Sequence, residues 1–202
     1  LAGDEIVIEG CMDALDGIGA GMDGGTMLVE GDVGDGAASA MSGGRLDIRG
    51  NAGNGLATGL GGGHVTVSGR VGDRAGGPRH GERFGMAGGT VVVGGDIGDR
   101  AGDRMRRGTM VIKGRCGTGT GSRMMGGTIW AERGLGAMPG ALMRRGTLIA
   151  PHLDEVPATF ADCGDHDLVT LRLLAIASQG AARDRDHSFG LPRRRSRTVQ
   201  DL

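Results

Sequence analysis

From Met86 the chain reads M-A-G-G-T-V-V-V-G-G-D-I-G-D-R-A-G-D-R, and at Met105 it begins again as M-R-R-G-T-M-V-I-K-G-R-C-G-T-G-T-G-S-R. Met124 opens a third copy and Met143 a fourth, which stops at Pro151; each step is 19 residues. A period of this length constrains the fold more than any bulk property. One copy cannot bury its apolar side alone, so the copies must stack. The register runs back toward the start of the chain. Met22, Met41 and Leu60 precede Met86 at steps of 19, 19 and 26. The long step carries seven extra residues within 76–84 (G-G-P-R-H-G-E-R-F), which predicts a loop bulging from one turn. A less regular copy at 5–10 (E-I-V-I-E-G) brings the count to seven or eight coils.

Within each copy the positions have distinct physical jobs. Thr26, Thr90, Thr109, Thr128 and Thr147 follow Gly and open short strands. Behind them Met27 and Val29, Leu46 and Ile48, Val65 and Val67, Val91 and Val93, Met110 and Ile112, and Ile129 and Ala131 alternate, which puts them on one face. A second apolar column is Val33, Ala52, Val71, Ile97, Cys116 and Leu135, and the Met/Leu column opening each copy is a third. Three inward columns per coil predict a right-handed parallel β-helix, an all-β fold with a narrow apolar lumen and a rise of about 4.8 Å per coil. Glycines at 31, 50, 69, 95 and 114, and again at 34, 53, 72, 98, 117 and 136, are expected either at positive φ or where adjacent coils approach closely.

The repeat fills 1–150. Residues 151–180 predict a C-terminal cap, with one short helix over 167–179 (D-L-V-T-L-R-L-L-A-I-A-S-Q) stopped by Gly180. Residues 181–202 are Arg-rich and predict an extended arm, disordered alone or laid on a partner.

Composition removes several function classes. Net charge is −1, which gives no global field for nucleic acid or membrane. Cys11, Cys116 and Cys163 are far apart, against a disulfide framework, a zinc site or an iron–sulfur cluster. No signal peptide or run of 18 apolar residues is visible, so a soluble, cytoplasmic protein is expected. The glycine strings at 17–21 (G-I-G-A-G) and 117–121 (G-T-G-T-G) do not lead from a strand into a helix and lack a Walker lysine, so they read as structural. The G-D-x-G-D runs at 31–35 and 95–99 lack the nine-residue step of calcium β-rolls. His64, His80, His152, His166 and His187 have no metal-ligand spacing, and His64, in the strand-opening Thr column, is expected to face solvent. No nucleophile, general base or metal set emerges, so no catalytic or metal residue is assigned and no cofactor is expected on this chain alone.

Charge is segregated along the axis. Residues 1–59 hold ten acids and two arginines, whereas 60–150 hold six acids and fourteen bases. Arg104, Arg106, Arg107, Arg123, Arg144 and Arg145 all lie within three residues of the Met that opens a coil, which places them on one edge of the solenoid. Two readings stand: a solvated edge relieved by carboxylates such as Asp103, or an anion-facing docking surface.

The repeated G-G-T-φ-φ-φ-x-G-x-φ-G (φ apolar) resembles the GXGXG β-helix domain. That domain forms the β-helix subunit of formylmethanofuran dehydrogenase, its C component, and is shared with the C-terminal region of the glutamate synthase large subunit. The resemblance covers about 3–150 and includes the 19-residue register. The segment at 157–164 (P-A-T-F-A-D-C-G) is similar to the end of the dehydrogenase β-helix subunit and not to glutamate synthase. The Arg-over-Lys bias and the Ala and Gly content favour the bacterial form of the family, the formyltransferase/hydrolase complex of methylotrophs.

That resemblance implies a non-catalytic scaffold subunit. The complex transfers formyl from tetrahydromethanopterin to a methanofuran-type carrier and releases formate. Its implied partners are amidohydrolase-like and formyltransferase subunits, with zinc held in another subunit. The carrier's glutamate-rich arm is then one polyanion for the arginine edge. The alternatives are the β-helix subunit of a tungsten/molybdenum formylmethanofuran dehydrogenase and a glutamate-synthase-like domain bracing an ammonia tunnel.

Overall fold

The computed structural model describes residues 5–10, 15–161 and 197–199. Eight strands follow one another in a single parallel sheet, each paired with the next in sequence. They are β1 (Glu5–Glu9), β2 (Asp23–Glu30), β3 (Gly43–Ile48), β4 (His64–Val67), β5 (Thr90–Val93), β6 (Thr109–Ile112), β7 (Met125–Ala131) and β8 (Arg145–Ala150). Their register is that of the repeat: Thr90 pairs with Thr109, Thr109 with Thr128 and Thr128 with Thr147. A second side is built from bridges linking Val33, Ala52, Val71, Ile97, Cys116, Leu135 and Leu153 in one parallel column. The result is a β-solenoid of about seven turns.

The lumen holds the three apolar columns. Met41, Leu60, Met86, Met105 and Met124 are fully buried, as are Leu46, Val65, Val91, Met110 and Ile129 from the strands. Unbranched Met fills the uneven gaps between coils that a nearly aromatic-free core leaves. Strict in–out alternation fails toward the C-terminal end. Val92, Val111 and Ile149 point away from the lumen yet are 7%, 4% and 4% exposed. Buried on both faces, such parallel strands read as continuous apolar runs.

Both flanks of the bridge column are held by side chains of one coil bonding the backbone of the next. Asp35 N–H donates to Asp16 Oδ1, Asn54 N–H to Asp35 Oδ1, Asp73 N–H to Asn54 Oδ1, Asp99 N–H to Asp73 Oδ1, and Thr118 N–H to Asp99 Oδ1. A parallel ladder runs from Asp32 through Asn51 to Arg70. The Asn51 backbone N–H, followed by its side-chain amide, holds the Asp32 carboxyl below its ordinary value. The calcium-like G-D-x-G-D runs are therefore backbone caps. Their glycines are mostly sites of close approach: a Cβ on Gly50 would sit 2.3 Å from the Gly31 carbonyl oxygen. Of the two expected glycine series, Gly31 alone has positive φ.

The seven extra residues form a bulge on one turn. The chain leaves after Gly76 and returns at Met86, whose N–H donates to the Gly76 carbonyl at 2.8 Å. At the far end, Leu153, Val156, Pro157 and Phe160 line an apolar recess together with Leu135 and Leu148. Three residues of the Arg-rich arm, β9 (Arg197–Val199), pair antiparallel with β8. The helix expected over 167–179 lies outside the described residues.

Candidate functional site

The third side of each coil runs from the bridge column to the Met column, and its backbone is unusual. Alternate residues adopt left-handed φ. In the G-I-G-A-G string Gly17, Gly19 and Gly21 sit at φ 69°, 68° and 70°. Further along the solenoid the same places are Arg100, Gly102 and Arg104, at 56°, 69° and 54°. The middle member points to the lumen, where a Cβ on Gly102 would lie 2.4 Å from Ile129 Cδ1. The outer members face out, so a side chain is sterically admissible there, although a non-Gly residue at such φ is uncommon. Sequence reasoning recognised the glycine strings as structural but missed this alternation. The signal was present in R-A-G-D-R and G-T-G-S-R, where arginine replaces only outer members of the string.

The six arginines of the edge occupy three columns. Arg104 and Arg123 are direct neighbours, followed one coil on by Leu142; all three are left-handed. Backbone bonds from the 106, 125 and 144 amides to the coil below define the next column, Arg106–Met125–Arg144. The 19-residue step relates Arg107, Gly126 and Arg145, while an irregularity in the β7–β8 register sets Arg145 opposite Met125. Arg106 and Arg144, like Arg107 and Arg145, are thus two coils apart, about 10 Å. The separation reduces the like-charge repulsion that a continuous stack would suffer.

Two edge arginines have partners within the chain. Arg123 grips Asp103 bidentately, at 3.0 and 2.9 Å, and Asp103 is itself buried. The Arg106 guanidinium lies 4.6 Å over the Phe84 ring, which also receives Arg83 at 5.4 Å. The bulging loop therefore lands on this edge and adds an aromatic platform to it. Among the described residues, Arg104, Arg106, Arg107, Arg144 and Arg145 form no ion pair. Arg106, Arg107, Arg144 and Arg145 are exposed. Such a surface can take carboxylates in planar, two-pronged contacts.

Elsewhere the chemistry is quiet. The Cys116 thiol is buried in the bridge column, and burial pushes it up to about 12, far from a reactive thiolate. His64 does lie on the outer face of β4, as expected, but it is half-buried there. Burial, then the charge of Arg45, pulls it below its ordinary value, and its Nε2 has no hydrogen-bond partner. His80 and His152 are exposed, and His166 and His187 lie outside the described residues. No group of three His, Cys, Asp or Glu among the described residues could hold a metal ion. No helix among them is long and apolar enough to cross a membrane.

No protein-family model and no curated protein matches the chain. A solved structure does: the X-ray crystal structure of the formyltransferase/hydrolase complex (FhcABCD) from Methylorubrum extorquens in complex with methylofuran. One of its chains is 40% identical, with a TM-score of 0.79, over 89% of this chain and 67% of that one. At that identity and coverage the likeness extends beyond a shared solenoid shape, and this chain belongs to the family of that component of the formyltransferase/hydrolase complex.

Proposed function

We propose that the protein is the β-helix scaffold subunit of a formyltransferase/hydrolase complex. That complex moves a formyl group from tetrahydromethanopterin to a methanofuran-type carrier and releases formate, with zinc in another subunit. The observation that carries this reading is the match along most of the chain to one component of such a complex. The chemistry of the chain agrees with it. Its Asp/Asn columns are spent on backbone capping, its buried cysteine is inert, and the free charges of its Met-flanking edge are arginines suited to gripping carboxylates rather than to moving protons. The rigid solenoid would hold amidohydrolase-like and formyltransferase subunits in register. The arginine edge would face an acidic partner or the acidic arm of the carrier.

The test is co-expression of the tagged chain with the other subunits of its complex, followed by metal analysis and assay. A stable assembly that contains zinc, without tungsten, molybdenum or iron, and that turns over formyl-tetrahydromethanopterin supports the reading. The isolated chain should show no formyl transfer or hydrolysis, and turnover by it alone would overturn the scaffold role. Tungsten or molybdenum in the assembly would reassign the chain to a dehydrogenase.

A further inference from the structure

The third side changes character at its C-terminal end. The outer left-handed places that carry Gly55 and Gly59, and later Arg100 and Arg104, are taken in the last full coil by Met138 and Leu142. Their φ values are 52° and 58°, and they are 54% and 81% exposed. Leu142 in particular contributes little to the fold there. A leucine whose side chain stands in water adds no burial, and its backbone is held where glycine or asparagine is at ease. Around the adjoining corner Met125 is 38% exposed, between Arg106 and Arg144 of its own column. Three solvent-facing apolar side chains thus share one end of the solenoid with Arg144 and Arg145, which form no ion pair among the described residues.

We propose that Met125, Met138 and Leu142, rimmed by Arg144 and Arg145, are the contact through which this chain docks another subunit, one that presents an apolar pocket edged with carboxylates. The proposal rests on the scaffold reading above and assigns the surface that executes it. An apolar centre with an arginine rim is the composition of interface hot spots. The sign of the rim fixes the partner's chemistry. Guanidinium groups without a counter-charge among the described residues call for carboxylates, which speed encounter and exclude wrong partners. A second copy of this chain fits poorly, because a two-fold contact sets the same patch against itself and brings arginine to arginine.

The test separates docking from folding by exploiting the backbone. Leu142→Gly, Leu142→Asn and Met138→Gly remove the apolar contacts while suiting left-handed φ. Each should leave the melting temperature of the purified chain unchanged or raised. Each should also weaken its association with the other subunits of the complex by on the order of tenfold or more, read by titration against those subunits. Arg144→Glu with Arg145→Glu should weaken it further and flatten its salt dependence. Wild-type assembly that survives Leu142→Asn and Met138→Gly unchanged overturns this docking surface and leaves the scaffold reading standing. So does a melting temperature that falls in step with affinity, because the residues would then be structural. Tighter binding after the arginine reversal overturns the acidic character of the partner. A self-dimer lost on Leu142→Asn reassigns the surface to a second copy. Failure of the wild-type chain to join the complex overturns the scaffold reading, and the proposal with it.

Discussion

Two polar columns run along the same axis and end differently. At the Asp/Asn flank, backbone N–H groups from Asp35 to Thr118 find side-chain acceptors one coil below, and the interactions close within the chain. At the arginine edge, the Arg123–Asp103 pair closes, while Arg104, Arg107, Arg144 and Arg145 find no counter-charge among the described residues. Both columns recur at the repeat spacing, so periodicity alone does not separate them. Satisfaction does. A repeated polar residue that caps the next coil belongs to the architecture, whereas one that recurs without a partner presents itself to something else.

The strongest challenge to this contrast comes from beneath the edge. Met105 is fully buried between Arg104 and Arg106. Met105→Asp would place a carboxylate in the lumen without a partner, at several kcal/mol, and should abolish soluble expression. A folded variant would mean that the Met column is not core. The edge itself should behave in the opposite way. Replacing Arg106, Arg107, Arg144 and Arg145 with Gln should leave the melting temperature within a few degrees, weaken assembly or carrier retention about tenfold, and flatten the salt dependence of both. Unchanged assembly, carrier content and turnover would reduce the edge to solvated surface.

A smaller effect is expected at the Asp/Asn flank. Asp99→Ala removes the acceptor of the Thr118 N–H. It should lower the melting temperature by about 2–4 °C and leave assembly alone. Loss of assembly from that change would erase the distinction between the two columns.

The smallest effect concerns pH. Burial lowers the pKa of His64 and so favours its neutral form in the fold. Its contribution is therefore fully present above the ordinary histidine value of about 6.5 and is lost as pH falls below that toward the lower folded value. His64→Thr, the residue of most other coils in that column, should flatten the stability profile below about pH 6.5. An unaltered profile would place the titration elsewhere.

Much of this was legible in the chain. The Met column, the alternating strand residues and the bridge column are set by burial, and burial writes a period into sequence. The bulge at 76–84 was readable as a break in that period. The left-handed alternation was written more faintly: the glycine strings carry it, but Arg104, Arg123 and Leu142 take the same places with no glycine to announce their φ. The 19-residue step does place Met125 between Arg106 and Arg144, but it could not tell that Arg123 is already engaged by Asp103. That pairing depends on side-chain directions across neighbouring coils, which the repeat count does not carry. His64 illustrates the same limit. Its column predicted an outward direction, and it points outward, but its half-burial depends on neighbours outside the column.

The bulge also shows where this molecule tolerates length. The backbone exits after Gly76 and re-enters at Met86, joined by one hydrogen bond across the neck. Beyond it every coil resumes the 19-residue count, from Met86 to Met105 to Met124. Nothing downstream keeps a record of how many residues were spliced in. The neck acts as a port, and a peptide tag or a small domain grafted between Arg79 and Glu82 would ride outside the solenoid without moving a single lumen side chain. Phe84, which ties the loop to Arg106, is on the return limb and would stay in place. The same port lets a homologous chain acquire a new contacting element on the arginine edge in one insertion, while its core sequence goes untouched.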